Sequence, residues 1–195
     1  MNLIQKIKRI EQYVLENFEE LDLDDPIEEG YWEEYQEIPG ASQKEIEAFE
    51  KKFSIKFPKD LKELYSYKNG SKYFSILPST IHDVEMSFSL MSLEQMEKTK
   101  QYFQNRDALL TEFPDFFTEE EIEKMRDSRI KPYLFHKQWI PFAEYCESCF
   151  LMLDFDPDKE GKEGQILCYI HDPDEVIYAA AGLSEFVDEI LLTID

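Results

Sequence analysis

The sequence predicts an α+β fold: an antiparallel meander sheet flanked by N-terminal helices, a helical insertion and a C-terminal helix. Three observations lead there. Apolar residues recur at spacings of three and four in the first third of the chain. Strand-like runs bounded by turn residues then dominate from Trp139 to Ala180. A last amphipathic stretch carrying Phe186, Val187, Ile190 and Leu191 closes the chain.

Each element follows from its residues. Ile4, Ile7, Ile10, Val14, Phe18 and Leu21 mark an amphipathic helix over about 2–20. LDLDDPIEEG, with Pro26 and Gly30 as breakers, reads as an acidic linker, and Trp32 in the YWEEY that follows is its expected packing anchor or an aromatic contact for a partner. Ser42 and Glu45 form a capping box for a helix over 43–53, with Ile46, Phe49 and Phe53 on its buried face. Pro58 suits the first turn of the next helix, Leu61, Leu64 and Tyr65 supply its apolar face, and Asn69-Gly70 is expected to end it in a left-handed conformation before the strand YFSIL. VEMSFSLMS (84–92) alternates as a strand does. Ser92/Gln95 and Thr118/Glu121 repeat the capping device, so 93–137 reads as a mostly helical insertion with Ile122 and Met125 buried. The meander then runs through WIPF, CFLMLDF (149–155), QILCYI (165–170) and EVIYAA (175–180), and Ser184 is the expected cap of the last helix. Two units result: 1–38, a helix and acidic linker, and 39–195, one domain carrying the insertion.

Composition narrows the function. The 195 residues hold 43 acids against 21 Lys and Arg, a formal charge of −22. Such a field repels nucleic acid and anionic lipid and attracts cationic proteins. The charge is uneven: Glu16 to Glu37 holds eleven acids and no Lys or Arg, whereas Lys44 to Lys72 holds eight Lys against five acids. There is no apolar run of the roughly 18 residues a membrane span needs and no secretory h-region, and the three cysteines cannot all pair within the chain. These features predict a reduced, cytoplasmic protein.

Four segments carry a family resemblance: SQKEIEAFEKKFSIKFPKDLKELYSYKNG (42–70), WIPFAEY (139–145), LDFDPDKEGKEGQI (153–166) and VIYAAAGLSEFVDEIL (176–191). In this order they resemble the SUKH superfamily, named in part after the fungal Smi–Knr regulators. The matching positions are Glu50, Pro58, Asn69, Gly70, Trp139, Pro141, Asp154, Asp156, Pro157 and Gly164, with a structural role implied for each. Phe57 stands where leucine is common, and the insertion is longer than compact bacterial members need. The resemblance implies a binding protein without catalytic residues, cofactor or metal. Bacterial members of this kind resemble immunity proteins that neutralise toxin domains, often nucleases, whereas fungal members resemble intracellular regulatory scaffolds. A nuclease is basic because it holds nucleic acid, so an acidic inhibitor gains from complementary fields. The expected contact acids are Asp22, Asp24, Asp25, Glu28, Glu29, Glu33 and Glu34 beside Trp32, and Asp156, Asp158, Glu160 and Glu163 in the loop after 154.

Three patterns could carry chemistry instead. Cys146, Cys149, Cys168 and His171 imitate a zinc spacing, but with Cys168 expected opposite Met152 in mid-strand, Cys168 and His171 should face opposite sides of the sheet. Asp154-x-Asp156-x-Asp158 opens like a calcium loop but has Lys159 where glycine and Gln165 where glutamate belong. His82-Asp83 and His171-Asp172 would suit a metal-dependent hydrolase only with further ligands, for which His136 alone is left.

Overall fold

In the computed structural model, which describes residues 1–17, 30–81, 83–104, 107–125, 127–172 and 174–194, the first apolar stripe forms α1 (Leu3–Asn17). Ile7, Ile10 and Val14 are fully buried in the same core as the later elements, while Phe18 and Leu21 lie outside the described residues. The segment read as pure linker contains a helix, α2 (Tyr31–Glu37). Its seven residues have no helical apolar stripe to announce it; what holds it is a tertiary clamp described below.

Ser42 caps α3 (Gln43–Phe53) with the full capping box, its hydroxyl accepting from Glu45 N–H while the Glu45 carboxylate accepts from Ser42 N–H at 2.7 Å. Pro58 then stands at the cap position, one residue ahead of α4 (Lys59–Tyr67). Glu50 ties the two helices together. It is 1% exposed, and its carboxylate accepts the Phe57 N–H at 2.7 Å and faces Lys62 Nζ at 2.8 Å and Lys56 Nζ at 3.4 Å. Burial opposes its ionisation, but the Lys62 hydrogen bond, the Phe57 N–H and the two lysine charges outweigh it and hold the carboxyl below its ordinary value.

The expected ending of α4 is corrected. Lys68, extended at φ −142°, stops the helix, and Asn69 and Gly70 do other work. The Asn69 side chain accepts the Leu93 N–H at 2.9 Å, capping the helix that follows β2. Gly70, at φ +96°, lets the chain pass so close to Ser92 that a Cβ would lie 2.8 Å from its backbone nitrogen.

The strands β1 (Ser75–Ile81) and β2 (Val84–Leu90) form a hairpin. The insertion follows: α5 (Leu93–Gln104), β3 (Ala108–Leu109), a 3-10 turn over 110–112, α6 (Glu119–Met125) and β4 (Tyr133–Phe135). It is less helical than expected, because β3 and β4 pair as a small ribbon. Ile122 and Met125 are half-exposed rather than buried, since α6 packs mainly on the 3-10 turn. The chain continues through β5 (Trp139–Tyr145), β6 (Cys149–Asp154), β7 (Gln165–Ile170), β8 (Glu175–Ala180) and α7 (Leu183–Ile194). The main sheet is antiparallel throughout, in the order β1-β2-β5-β6-β7-β8. Cys168 pairs with Leu151 rather than Met152, a slip of one residue from the expected register.

Helices α1, α4 and α7 pack on one another, and α1 and α7 pack on the sheet. Ile10, Leu61, Leu64, Val187 and Ile190 fill this layer together with Leu77, Phe88 and Leu153 of the strands. Ser184 does not cap α7 but lies in its first turn. Its N–H and hydroxyl both donate to Asp60 of α4 at 2.9 Å, so the helix terminus is satisfied from another element. Gly164, at φ +83°, faces Pro58 with only 2.8 Å between a hypothetical Cβ and the ring, which locks two of the family segments together.

Because the Glu50 carboxyl lies below its ordinary value of 4.5, its stabilising contribution is present above that pH and is lost as pH falls through the lower native value. Glu50→Ala should cost about 3 kcal/mol at pH 7 by leaving the buried Phe57 N–H unpaired. Chemical denaturation between pH 7 and pH 3 should show a larger acid-induced loss in the wild type than in Glu50→Gln, since Asp107, Asp127 and Asp156 are also lowered and remain in both.

Candidate protein-binding site

One row of the sheet organises the exposed chemistry. Ser75, Ser89, Glu144, Phe150, Tyr169 and Val176 are directly paired from strand to strand, so their side chains share one face. At the Ser75 end this face is open. Ser75, Ser87 and Ser89 floor a groove of about 740 Å³. Tyr31 and Glu34 of α2, with Lys72 and Tyr73, form one wall, and Glu144, Tyr145 and Glu147 form the other.

The wall made by α2 depends on Lys68. This buried lysine donates to three carbonyls at the C-terminal end of α2, those of Tyr35 and Gln36 at 2.9 Å and Ile38 at 2.8 Å. A cation suits that end of a helix. The same ammonium lies 4.9 Å from the Tyr35 ring centroid. Beneath it Glu11 of α1 is buried and accepts the hydroxyls of Tyr35 and Tyr67. Burial raises the Glu11 carboxyl above its ordinary value, against the hydrogen bonds of the two tyrosines and the charges of Lys68 and Lys8. α1, α2 and α4 are thus joined through one polar cluster. Tyr35 and Trp32 then pack against Phe74, with ring centroids 5.0 and 5.1 Å apart respectively.

This fixes the direction of each α2 side chain. Trp32 turns inward on Phe74, while Glu33 and Glu34 are exposed and Glu34 reaches Lys72 at 2.9 Å across the groove wall. Tyr31 stacks on Tyr73, which is 70% exposed, at 5.1 Å and 27°. On the opposite wall burial, and then the neighbouring Glu147, push the Glu144 carboxyl up. Three carboxylates and one lysine therefore line the groove. Asp22, Asp24, Asp25, Glu28 and Glu29, expected beside them, lie outside the described residues.

The second acidic segment is placed elsewhere. The loop 155–164 leaves the far end of β6, about 17 Å along the strand from the Cys146–Ser148 turn. Asp154 is fully buried and accepts Asp156 N–H and Gln165 Nε2, each at 2.9 Å, and burial raises its carboxyl. The indole N–H of Trp139, the paired residue on β5, is buried beside this carboxylate. Asp156 pairs with Lys131 and lies 2.9 Å from His136 Nε2, whose other ring nitrogen is 3.1 Å from Asp107. Glu160 accepts from the Ser128 hydroxyl at 2.6 Å, and Asp158 from the Lys159 N–H at 2.8 Å. Glu163 is exposed beside a small cleft near Lys56. Asp156 and Glu160 thus tie the insertion to this loop, and the groove draws on none of these acids.

The patterns suggestive of metal or catalysis do not assemble. Cys149 and Cys168 are buried within the sheet, Cys146 is exposed at a left-handed turn, and His171 lies in the turn after β7. Among the described residues no group of three or more His, Cys, Asp or Glu side chains could hold a metal ion. His82 lies outside the described residues.

Sequence reading missed the groove itself: Tyr31, Tyr73, Ser75, Ser87, Ser89, Glu144 and Glu147. The serine alternation in VEMSFSLMS was a signal for an open strand face, but only pairing shows what borders it. The model of the SMI1 / KNR4 family (SUKH-1) matches residues 40–189. No curated protein matches the chain.

Lys68→Met should free the carbonyls of Tyr35, Gln36 and Ile38 and leave Lys8 to balance the buried Glu11. We expect a loss of about 2–4 kcal/mol in denaturant unfolding. Amide exchange should accelerate first over 31–37, ahead of the sheet.

Proposed function

The chain belongs to the SMI1 / KNR4 family (SUKH-1), whose domains generally bind proteins without catalysis, and on that premise we propose that it is an immunity protein for a cognate toxin domain. The toxin is basic and of nuclease type, and neutralisation is by occlusion of its substrate cleft. The partner docks over the serine-floored groove, between α2 and the Cys146–Ser148 turn. The observation that carries this reading is the coincidence of a formal charge of −22 with a sheet groove walled by Glu34, Glu144 and Glu147 and by the half-buried Tyr31 and exposed Tyr73.

The physics favours such a partner. A cleft that holds nucleic acid is lined with Lys and Arg, and the field of this chain speeds its approach. Tyr31 and Tyr73 add apolar contact with few rotatable bonds, as interface hot spots require. Glu33 and Glu34 act at the rim, where a charge changes association rate more than dissociation. The separate 155–164 loop, whose Asp156 and Glu160 are occupied by the insertion, contributes long-range field rather than contact.

The test is capture from the source cells at low and high salt, followed by kinetics with the captured protein. Reversing Glu34, Glu144 and Glu147 to lysine should slow association about tenfold at low salt, with the deficit shrinking near 0.5 M salt. Tyr73→Ala should raise the dissociation rate instead. No basic protein captured at low salt, or full affinity in the charge-reversed variant, would reject the reading.

A further inference from the structure

Beyond Glu147 the sheet row that floors the first groove turns aromatic. Phe150 and Tyr169 continue it, their rings 6.3 Å apart at 23°. Phe135 of β4 meets Tyr169 from above at 5.6 Å, and Leu134 is buried next to it. The insertion adds a wall in which Phe113 and Phe117 are half-buried and Phe116 is 79% exposed. Together they enclose a second groove of about 880 Å³, which shares Glu147 with the first.

Its rim is acidic. Glu147, Asp172 and Asp174 line it beside His171, with no lysine or arginine among the described residues. Asp174 is engaged, accepting the Tyr169 hydroxyl at 2.5 Å and lying 3.1 Å from His171 Nδ1. Glu147 and Asp172 are exposed and have no counter-ion among the described residues.

An open phenylalanine over an apolar floor, edged by uncompensated carboxylates, selects its occupant by charge and shape. A second copy of the chain, at −22, would bring more carboxylates to the rim, and lipid headgroups or nucleic acid would be repelled in the same way. An aliphatic side chain would fill the floor and leave the carboxylates unmatched. Lysine offers a compact, strongly hydrated ammonium, whereas guanidinium is planar, sheds water more readily, stacks on rings and pairs with carboxylates by its fork. The fold already uses that combination on its own arginine: the Arg129 guanidinium lies 3.4 Å from the Tyr178 ring centroid while pairing with Asp127.

We propose that the second groove is a specificity pocket for an arginine-bearing segment of a protein partner, with the guanidinium over Phe116 and within reach of Asp172 and Glu147. An apolar neighbour of that arginine packs on Leu134, Phe150 and Tyr169. The proposal deepens the reading above and rests on its cationic protein partner, but it names a different surface and one residue type.

The test is titration of the full chain with an acetylated, amidated Leu-Arg-Leu peptide, followed by amide chemical shifts, beside lysine and citrulline versions. The arginine peptide should move the amides of Phe116, Leu134, Ser148 and Tyr169. It should bind about threefold tighter than the lysine peptide and about tenfold tighter than the citrulline peptide. Phe116→Ala and Asp172→Asn should each weaken it about threefold at unchanged thermal stability; asparagine tolerates the φ of 78° at position 172. No binding, equal binding of all three peptides, or shifts confined to the serine-floored groove would overturn the assignment. Peptide binding here with no basic protein captured from cells would remove the proposed function and leave the pocket standing. A captured partner that binds Phe116→Ala and Asp172→Asn at full strength would remove the pocket and leave the function.

Discussion

The ammonium of Lys68 is the constraint on which the exposed site depends. Three carbonyls of α2 turn toward it, and Glu11 of α1 and the ring of Tyr35 complete its surroundings. Without this charge a seven-residue helix would have little to hold it, because so short a segment gains almost nothing from its own hydrogen bonds. With it, α2 becomes a rigid wall that sets Tyr31 and Glu34 over the open part of the sheet. The proposed binding face is therefore built by a cation, in a protein otherwise dominated by carboxylates.

Those carboxylates divide by environment. Glu50 and Asp154 are internal connectors: one closes the α3–α4 corner through Phe57 and Lys62, and the other holds the end of β6 through Asp156 and Gln165. Asp60 caps a helix across the core, and Asp156 with Asp107 embraces His136. Glu34, Glu144 and Glu147 stand where a partner can approach. The formal charge counts all of these equally, but of these only Glu34, Glu144 and Glu147 line the serine-floored groove. The first group sets the shape on which the second is displayed.

The insertion gives the sheet its asymmetry. It covers the face around Phe150 and Tyr169, whereas over Ser75 and Ser89 a groove remains between α2 and the Cys146–Ser148 turn. One paired row thus runs from hydroxyls through a half-buried carboxyl to stacked rings. A partner lying along it meets polar, acidic and aromatic surface in succession. Such graded chemistry discriminates between partners better than charge alone, since each part rejects a different wrong match.

Much of the fold was legible in the residues. The capping box at Ser42, the stripes of α1, α3, α4 and α7, and the strand runs after Trp139 are local signals, decided by neighbours within a turn or two. The four family segments likewise fixed the architecture, and Glu50, Gly70 and Gly164 could be marked as structural before their partners were known. Sequence could not tell that Lys68 would create α2, that Asp60 rather than Ser184 would cap α7, or that Glu34 would reach Lys72 on the wall of a groove that the 155–164 loop does not line. Each of these is a contact between residues far apart in the chain. Periodicity and capping are short-range, and so a linear reading finds them. Which charge is buried against which carbonyl, and which strand face is left bare, is settled only when the sheet closes and the insertion lies across part of it.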